Sequence, residues 1–130
     1  MKAIILISEA SLPLAKTLQR ELPDTLIYTK NECEGCISIT SCHRFIEDSI
    51  IFIGAMGICV RSIAGCIKNK YKDPAVVCVD STGRFVISVL SGHVGGANEL
   101  TRHIAAITGG EAVITTQSDN AGLWALDTLA

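Results

Sequence analysis

The sequence predicts a three-layer α/β/α fold built on a mostly parallel sheet, and three observations carry that expectation. Short runs rich in Ile and Val recur along the chain, the pattern of strands covered on both faces. Between most of them lie stretches whose apolar residues return with a helical period, so that one stripe is buried. The junctions are short and made of Gly, Ser, Thr and Asp. Strands alternating with helices in this way enclose a parallel sheet between two helical layers.

The first strand is read over residues 3–7. Ser11 is placed to cap a helix with Pro13 in its first turn and Leu14, Leu18 and Leu22 along one side. A weak strand at residues 25–28 suits a sheet edge, and residues 31–49 hold no sustained period. Residues 50–53 form a buried strand ending in Gly54-Ala55-Met56-Gly57, after which a helix carries Cys59, Ile63, Cys66 and Ile67 on one stripe. The run Lys68-Asn69-Lys70-Tyr71-Lys72-Asp73-Pro74 stops it with charge and a turn. Residues 75–79 and 85–90 are strands joined through Ser81-Thr82-Gly83, a turn tight enough for a hairpin and hence for one antiparallel strand. A helix from about Val94 turns Ala97, Leu100, Ile104 and Ile107 inward and halts at Gly109-Gly110. Residues 112–115 are the last strand, and Asp119 or Asn120 caps a final helix that meets no stop signal before Ala130. Residues 1–130 are therefore expected to be one domain taken from a longer chain.

Composition narrows the function. A chain of 130 residues that is 48% hydrophobic supports one substantial core. A net charge of −2 gives no general attraction to nucleic acid or anionic membrane, and no apolar run is long enough to span a bilayer. Six cysteines without a secretory leader point to a reduced, cytoplasmic setting. Monomer and homo-oligomer both stay open.

Three strand-to-helix turns hold the candidate ligand-binding residues: Gly54 and Gly57 in the first, Ser91, Gly92, Gly95, Gly96 and Asn98 in the second, Thr115, Thr116 and Asp119 in the third. Glycines let a ligand approach the backbone, hydroxyls and amides direct hydrogen bonds, and helix N-termini receive anions. In a parallel sheet all three turns would share the carboxyl edge, where ligands of such folds bind. Serving only as tight connections is the bland alternative. Neither GxxxxGK[ST] nor GxGxxG is present, so an ordinary nucleotide site is not indicated.

The succession from Ile51 to Asp119 also resembles the amino-terminal domain of the CbiG family of cobalamin biosynthesis. The resemblance rests on Asp73-Pro74-Ala75-Val76-Val77, Asp80, Gly83, Phe85-Val86, Leu90-Ser91-Gly92-His93 and Gly95-Gly96-Ala97-Asn98, in the family's order. Residues 1–50 fit in outline, and the segment holding Cys33 and Cys42 lies outside the family pattern. The resemblance implies cobalt-precorrin-5A hydrolase activity: a δ-lactone on a cobalt-bearing macrocycle is opened and a two-carbon unit leaves as acetaldehyde. It implies no cofactor beyond the cobalt of the substrate, and a second, carboxy-terminal domain as partner. Arg61 and the cluster Lys68, Lys70 and Lys72 are candidate contacts to the substrate's carboxylates, or simply solvated surface.

Lactone opening needs a base for water and donors for an oxyanion. His93 is the best-placed base, with amides around Gly95 and Gly96 as the oxyanion hole; the alternative is that His93 only hydrogen-bonds substrate or a loop. Asp119 and Glu99 are rival bases, although Glu99 is four residues from His103, a pairing distance on a helix. Cys33, Cys36 and Cys42-His43 have spacing for a metal, but one CxxC without a second pair reads first as reduced loop thiols, so no metal site is assigned. Cys59, Cys66 and Cys78 read as core. The competing readings are a non-catalytic tetrapyrrole-binding module and a metal or redox protein using the Cys33–Cys36 segment.

Overall fold

The computed structural model describes residues 2–28, 49–64, 73–91 and 96–115. Among these described residues, six strands form one sheet in the order β2-β1-β3-β4-β5-β6: β1 Lys2–Leu6, β2 Thr25–Tyr28, β3 Ser49–Ile53, β4 Ala75–Val79, β5 Phe85–Leu90 and β6 Glu111–Val113. Helices α1 Leu12–Glu21, α2 Met56–Ile63 and α3 Ala97–Thr108 cover it. The weak β2 is an edge strand, as its short polar-flanked sequence predicts.

The sheet divides the core into two layers, because successive side chains along a strand point to opposite faces. Ile4, Leu6, Ile51, Ile53, Val77, Val79 and Val86 pack with Ala15 and Leu18 of α1 and with Leu100 and Ile104 of α3. Ala3, Ile5, Ile50, Phe52, Val76 and Cys78 pack with Cys59 and Ile63 of α2. The three-layer α/β/α architecture is thus present. Leu18 and Ile104 are fully buried, and each contributes roughly 2 kcal/mol by leaving water.

Three local readings change. Ser11 makes no side-chain cap; Ser8 accepts from the Ala10 amide at 3.2 Å instead and starts a 3-10 turn, Glu9–Ser11, ahead of α1. Strand β5 is not covered on both faces: only Val86 is fully buried, since β6 pairs with Phe85, Val86 and Ile87 alone. The stripe of α3 is as expected from Ala97 onward, with Gly109 in the left-handed conformation as its C-cap. Beside it, a Cβ on Gly110 would lie 2.3 Å from the Gly83 carbonyl oxygen, so the chain passes the hairpin turn only as glycine.

The hairpin between β4 and β5 is real, and its effect is large. Val79 pairs with Val86 and Val76 with Leu90, so β5 runs against β4, and β6 runs parallel to β5. Two of the six strands oppose the other four.

Candidate functional site

Strand direction decides which turns can meet. The carboxyl ends of β1 to β4 define one rim of the sheet. The carboxyl ends of β5 and β6 lie on the other, beside the amino ends of β1, β3 and β4. The expectation of one shared edge is therefore overturned. Gly54 and Gly57 sit at the first rim, whereas Ser91, Gly96 and Thr115 sit at the second. The physical cause is the hairpin at residues 80–84, where the Asp80 amide bonds the Phe85 carbonyl at 2.9 Å and the Gly83 amide bonds Asp80 at 2.7 Å.

At the first rim, the chain leaves β1 and β3 toward helices on opposite faces, the switch point where doubly wound sheets open a crevice. Ile7 and Gly54 meet there, and a Cβ on Gly54 would lie 3.4 Å from Ile7. Gly57 is exposed, with open space where a Cβ would stand. Arg61 lies exposed in the last turn of α2. Behind the turn, Cys78 donates to the Gly54 carbonyl at 3.4 Å. Its hydrogen bond with Cys59, together with burial, pushes the Cys59 thiol far above the usual range. Both thiols are free and buried, and they act as core side chains.

At the second rim, Ser91 has φ 59°, a left-handed conformation that costs a non-glycine residue about 1 kcal/mol. It is held there: its hydroxyl donates to the Asp73 carbonyl at 3.1 Å, and its own carbonyl accepts from the Ala97 amide at 3.1 Å. Asn98 is buried, with Oδ1 accepting from Ser88 at 2.7 Å, so that oxygen ties α3 to β5. Gly96 takes φ 82° as N-cap of α3 and brings no capping side chain. Thr115, two residues past β6, is exposed. Gly92, His93, Gly95, Thr116 and Asp119 lie outside the described residues, as do Cys33, Cys36, Cys42, Lys68, Lys70 and Lys72.

An open cleft of about 610 Å³ lies at this second rim, lined by Lys2 of β1, Ser49 of β3, and Gly96, Glu99, Arg102 and His103 at α3. Sequence reasoning missed Lys2, Ser49, Arg102 and His103. No local signal joins residue 2 to residues 49 and 103; only the strand order and the reversal of β5 bring them together. The pairing of Glu99 with His103 is also corrected: Glu99 accepts from Arg102 at 2.8 Å, one turn along α3. Among the described residues, no group of three or more His, Cys, Asp or Glu side chains is placed to hold a metal. No described helix is long and apolar enough to cross a membrane.

Comparison with known proteins adds to this geometry. Residues 43–119 match the family model described as cobalamin synthesis G N-terminal. The chain is 42% identical to a cobalt-precorrin-5A hydrolase of Salmonella typhimurium, over 98% of this chain and 39% of that protein. It is 57% identical to a cobalt-precorrin-5A hydrolase of Priestia megaterium, over 54% of this chain and 19% of that one. A solved cobalamin biosynthesis protein G homolog from Sulfolobus solfataricus superposes with a TM-score of 0.72 at 27% identity, covering 88% of this chain and 36% of that structure. The chain thus spans well under half the length of the relatives it matches.

Proposed function

Because the chain belongs to the cobalamin synthesis G N-terminal family, whose model matches residues 43–119 of its 130, we propose that it forms the amino-terminal part of a cobalt-precorrin-5A hydrolase. The observation that carries this reading is the 42% identity to the Salmonella enzyme along 98% of the chain. The substrate is then a flat macrocycle edged with acetate and propionate groups, its cobalt part of the substrate, and the chain brings no cofactor of its own. A carboxy-terminal domain of the same enzyme is the expected partner, and the setting is cytoplasmic.

In the reaction, water adds to the lactone carbonyl and loses a proton to a base. The acyl C–O bond breaks, leaving a carboxylate on the ring and an alcohol on the two-carbon unit. As that alcohol loses its proton and becomes the aldehyde carbonyl, the carbon–carbon bond to the macrocycle breaks. The ring carbon takes the electron pair and a proton, and acetaldehyde departs. We assign the base to His93, with backbone amides around Gly95 and Gly96 receiving the oxyanion. Support for this comes from the flanking residues: Gly96 lines the cleft, and strained Ser91, which follows β5 at the same rim of the sheet, is clamped on both sides. Ser91 and Asn98 serve this site by shaping the turn.

A second reading, a tetrapyrrole-binding half without chemistry of its own, is favoured by the 39% share of the Salmonella relative that the chain spans. Incubation with the cobalt lactone separates the two: released acetaldehyde supports the hydrolase, and a shifted corrinoid spectrum without product supports the binding half. In the full-length enzyme, His93→Ala is expected to abolish acetaldehyde release. Near-normal turnover would assign the base elsewhere.

A further inference from the structure

Strand β5 is an apolar run with one hydroxyl in it, Phe85-Val86-Ile87-Ser88-Val89-Leu90. Alternation puts Ser88 on the same face as buried Val86, the face that α3 covers. Its Oγ donates to Oδ1 of Asn98 at 2.7 Å, and Asn98 is 3% exposed in the first turn of α3. Asn98 makes a further interaction as well, so the Ser88 bond decides which way the carboxamide faces, not whether the side chain is held at all.

The strand changes character directly after Ser88. Val77 pairs with Ser88, but Val76 pairs with Leu90, so Val89 is an extra residue, a β-bulge that interrupts the ladder. The bulge inverts the alternation: Leu90 packs with Ile87 and Val89 on the α2 side of the sheet, and not with Val86. Ser88 is thus the last side chain of β5 in regular register that faces α3. Beyond it, the carbonyl of left-handed Ser91 accepts from the Ala97 amide at 3.1 Å. Two fastenings therefore hold the start of α3 to the end of β5, one through backbone and one through the Ser88 hydroxyl. Gly96 opens the helix in the left-handed conformation and brings no capping side chain, so it adds no side-chain fastening of its own.

We propose that Ser88 is a positioning residue of this protein: through Asn98 it sets the start of α3 against β5, and with it the place of Gly96 in the second-rim cleft. The consequence for turnover rests on the hydrolase reading above, in which Gly96 is among the oxyanion donors; the fastening itself does not. No contact with reacting atoms is assigned to Ser88. An oxyanion donor works chiefly in the transition state, so a displaced Gly96 lowers kcat and leaves KM nearly as it was. A donor shifted by a fraction of an ångström is still present, and the loss is about tenfold, less than for its removal.

Two readouts on the full-length enzyme keep the fastening and its consequence apart, with thermal melts to show that each variant is folded. Amide hydrogen exchange reports the fastening. In Ser88→Ala the amides of Ala97 and Leu100, which bond the Ser91 and Gly96 carbonyls, should exchange roughly tenfold faster. The Gly54 amide, bonded to Val79 at the opposite rim, should keep its rate. Acetaldehyde release from the cobalt lactone reports the consequence: kcat should fall about tenfold while KM stays within about twofold. Ser88→Thr keeps the hydroxyl, suits a strand, and should restore both readouts. Thr17→Ala, which removes a hydroxyl from α1, should change neither. Unchanged exchange at Ala97 in folded Ser88→Ala overturns the proposal. Faster exchange with normal kcat overturns the role in turnover and leaves the hydrolase reading standing. A rise in KM alone also overturns that role, because Ser88 would then serve substrate binding. So does a folded Ser88→Thr as slow as Ser88→Ala, since the hydroxyl would not be the cause. A wild-type enzyme that releases no acetaldehyde, while Ser88→Ala still speeds exchange at Ala97, sinks the hydrolase reading and leaves the fastening in place.

Discussion

Thr101 shows how much one atom can matter. Its side chain is fully buried on α3, and its hydroxyl has no hydrogen-bond partner among the described residues. A buried hydroxyl left unpaired costs about 1–3 kcal/mol of desolvation, whereas a methyl of the same shape has nothing to satisfy. Thr101→Val is therefore expected to raise stability by about 1 kcal/mol, measured as the shift of a urea midpoint at constant m-value. A fall would mean that the hydroxyl has a partner in the folded protein. Ser91 is the opposite case, a polar residue in a costly backbone conformation whose hydroxyl is fully used on Asp73. Its left-handed backbone was invisible in the sequence, since a serine before Gly92 gives no hint of positive φ.

At the scale of elements, the junction between α3 and β6 meets the hairpin turn through backbone. The Glu111 amide donates to the Arg84 carbonyl at 2.8 Å, and any Cβ on Gly110 would press on the Gly83 and Arg84 carbonyl oxygens at 2.3 and 2.7 Å. Backbone cannot yield as a flexible side chain does. Gly110→Ala is expected to destabilise by roughly 1–3 kcal/mol or more, read from the same denaturation curves, through overpacking that separates β6 from β5. A neutral result would show that the turn and the helix end are not in contact. The sequence made Gly109-Gly110 legible as a helix stop, and Gly109 is one. It did not disclose that Gly110 serves the hairpin, because that contact joins residues far apart along the chain. The helical stripe of α3 was readable because every inward residue lies within one period, and Ala97, Leu100 and Ile104 are buried accordingly.

For the whole molecule, the element types and the three layers followed from periodicity, while the placing of the candidate site did not. Periodicity records which face a residue uses and says nothing about which way a strand runs. The tight Ser81-Thr82-Gly83 turn held that information, and its consequence for Gly57 and Ser91 needed the strand order as well. The two turns now stand at opposite rims of the sheet, and a direct test follows. Gly57→Ala and Ser91→Ala are expected to act independently: the effect of the pair on stability and on substrate affinity should equal the sum of the singles within about 0.5 kcal/mol. A larger coupling in a double-mutant cycle would restore a common hollow. The reversal of β5 has one further result. Thr115 and the cleft lined by Lys2 and Ser49 stand at the same end of the sheet, so a partner docked beside β6 reaches that cleft with no path around the sheet. One docked near Gly57 would have to travel the full height of the strands to reach it.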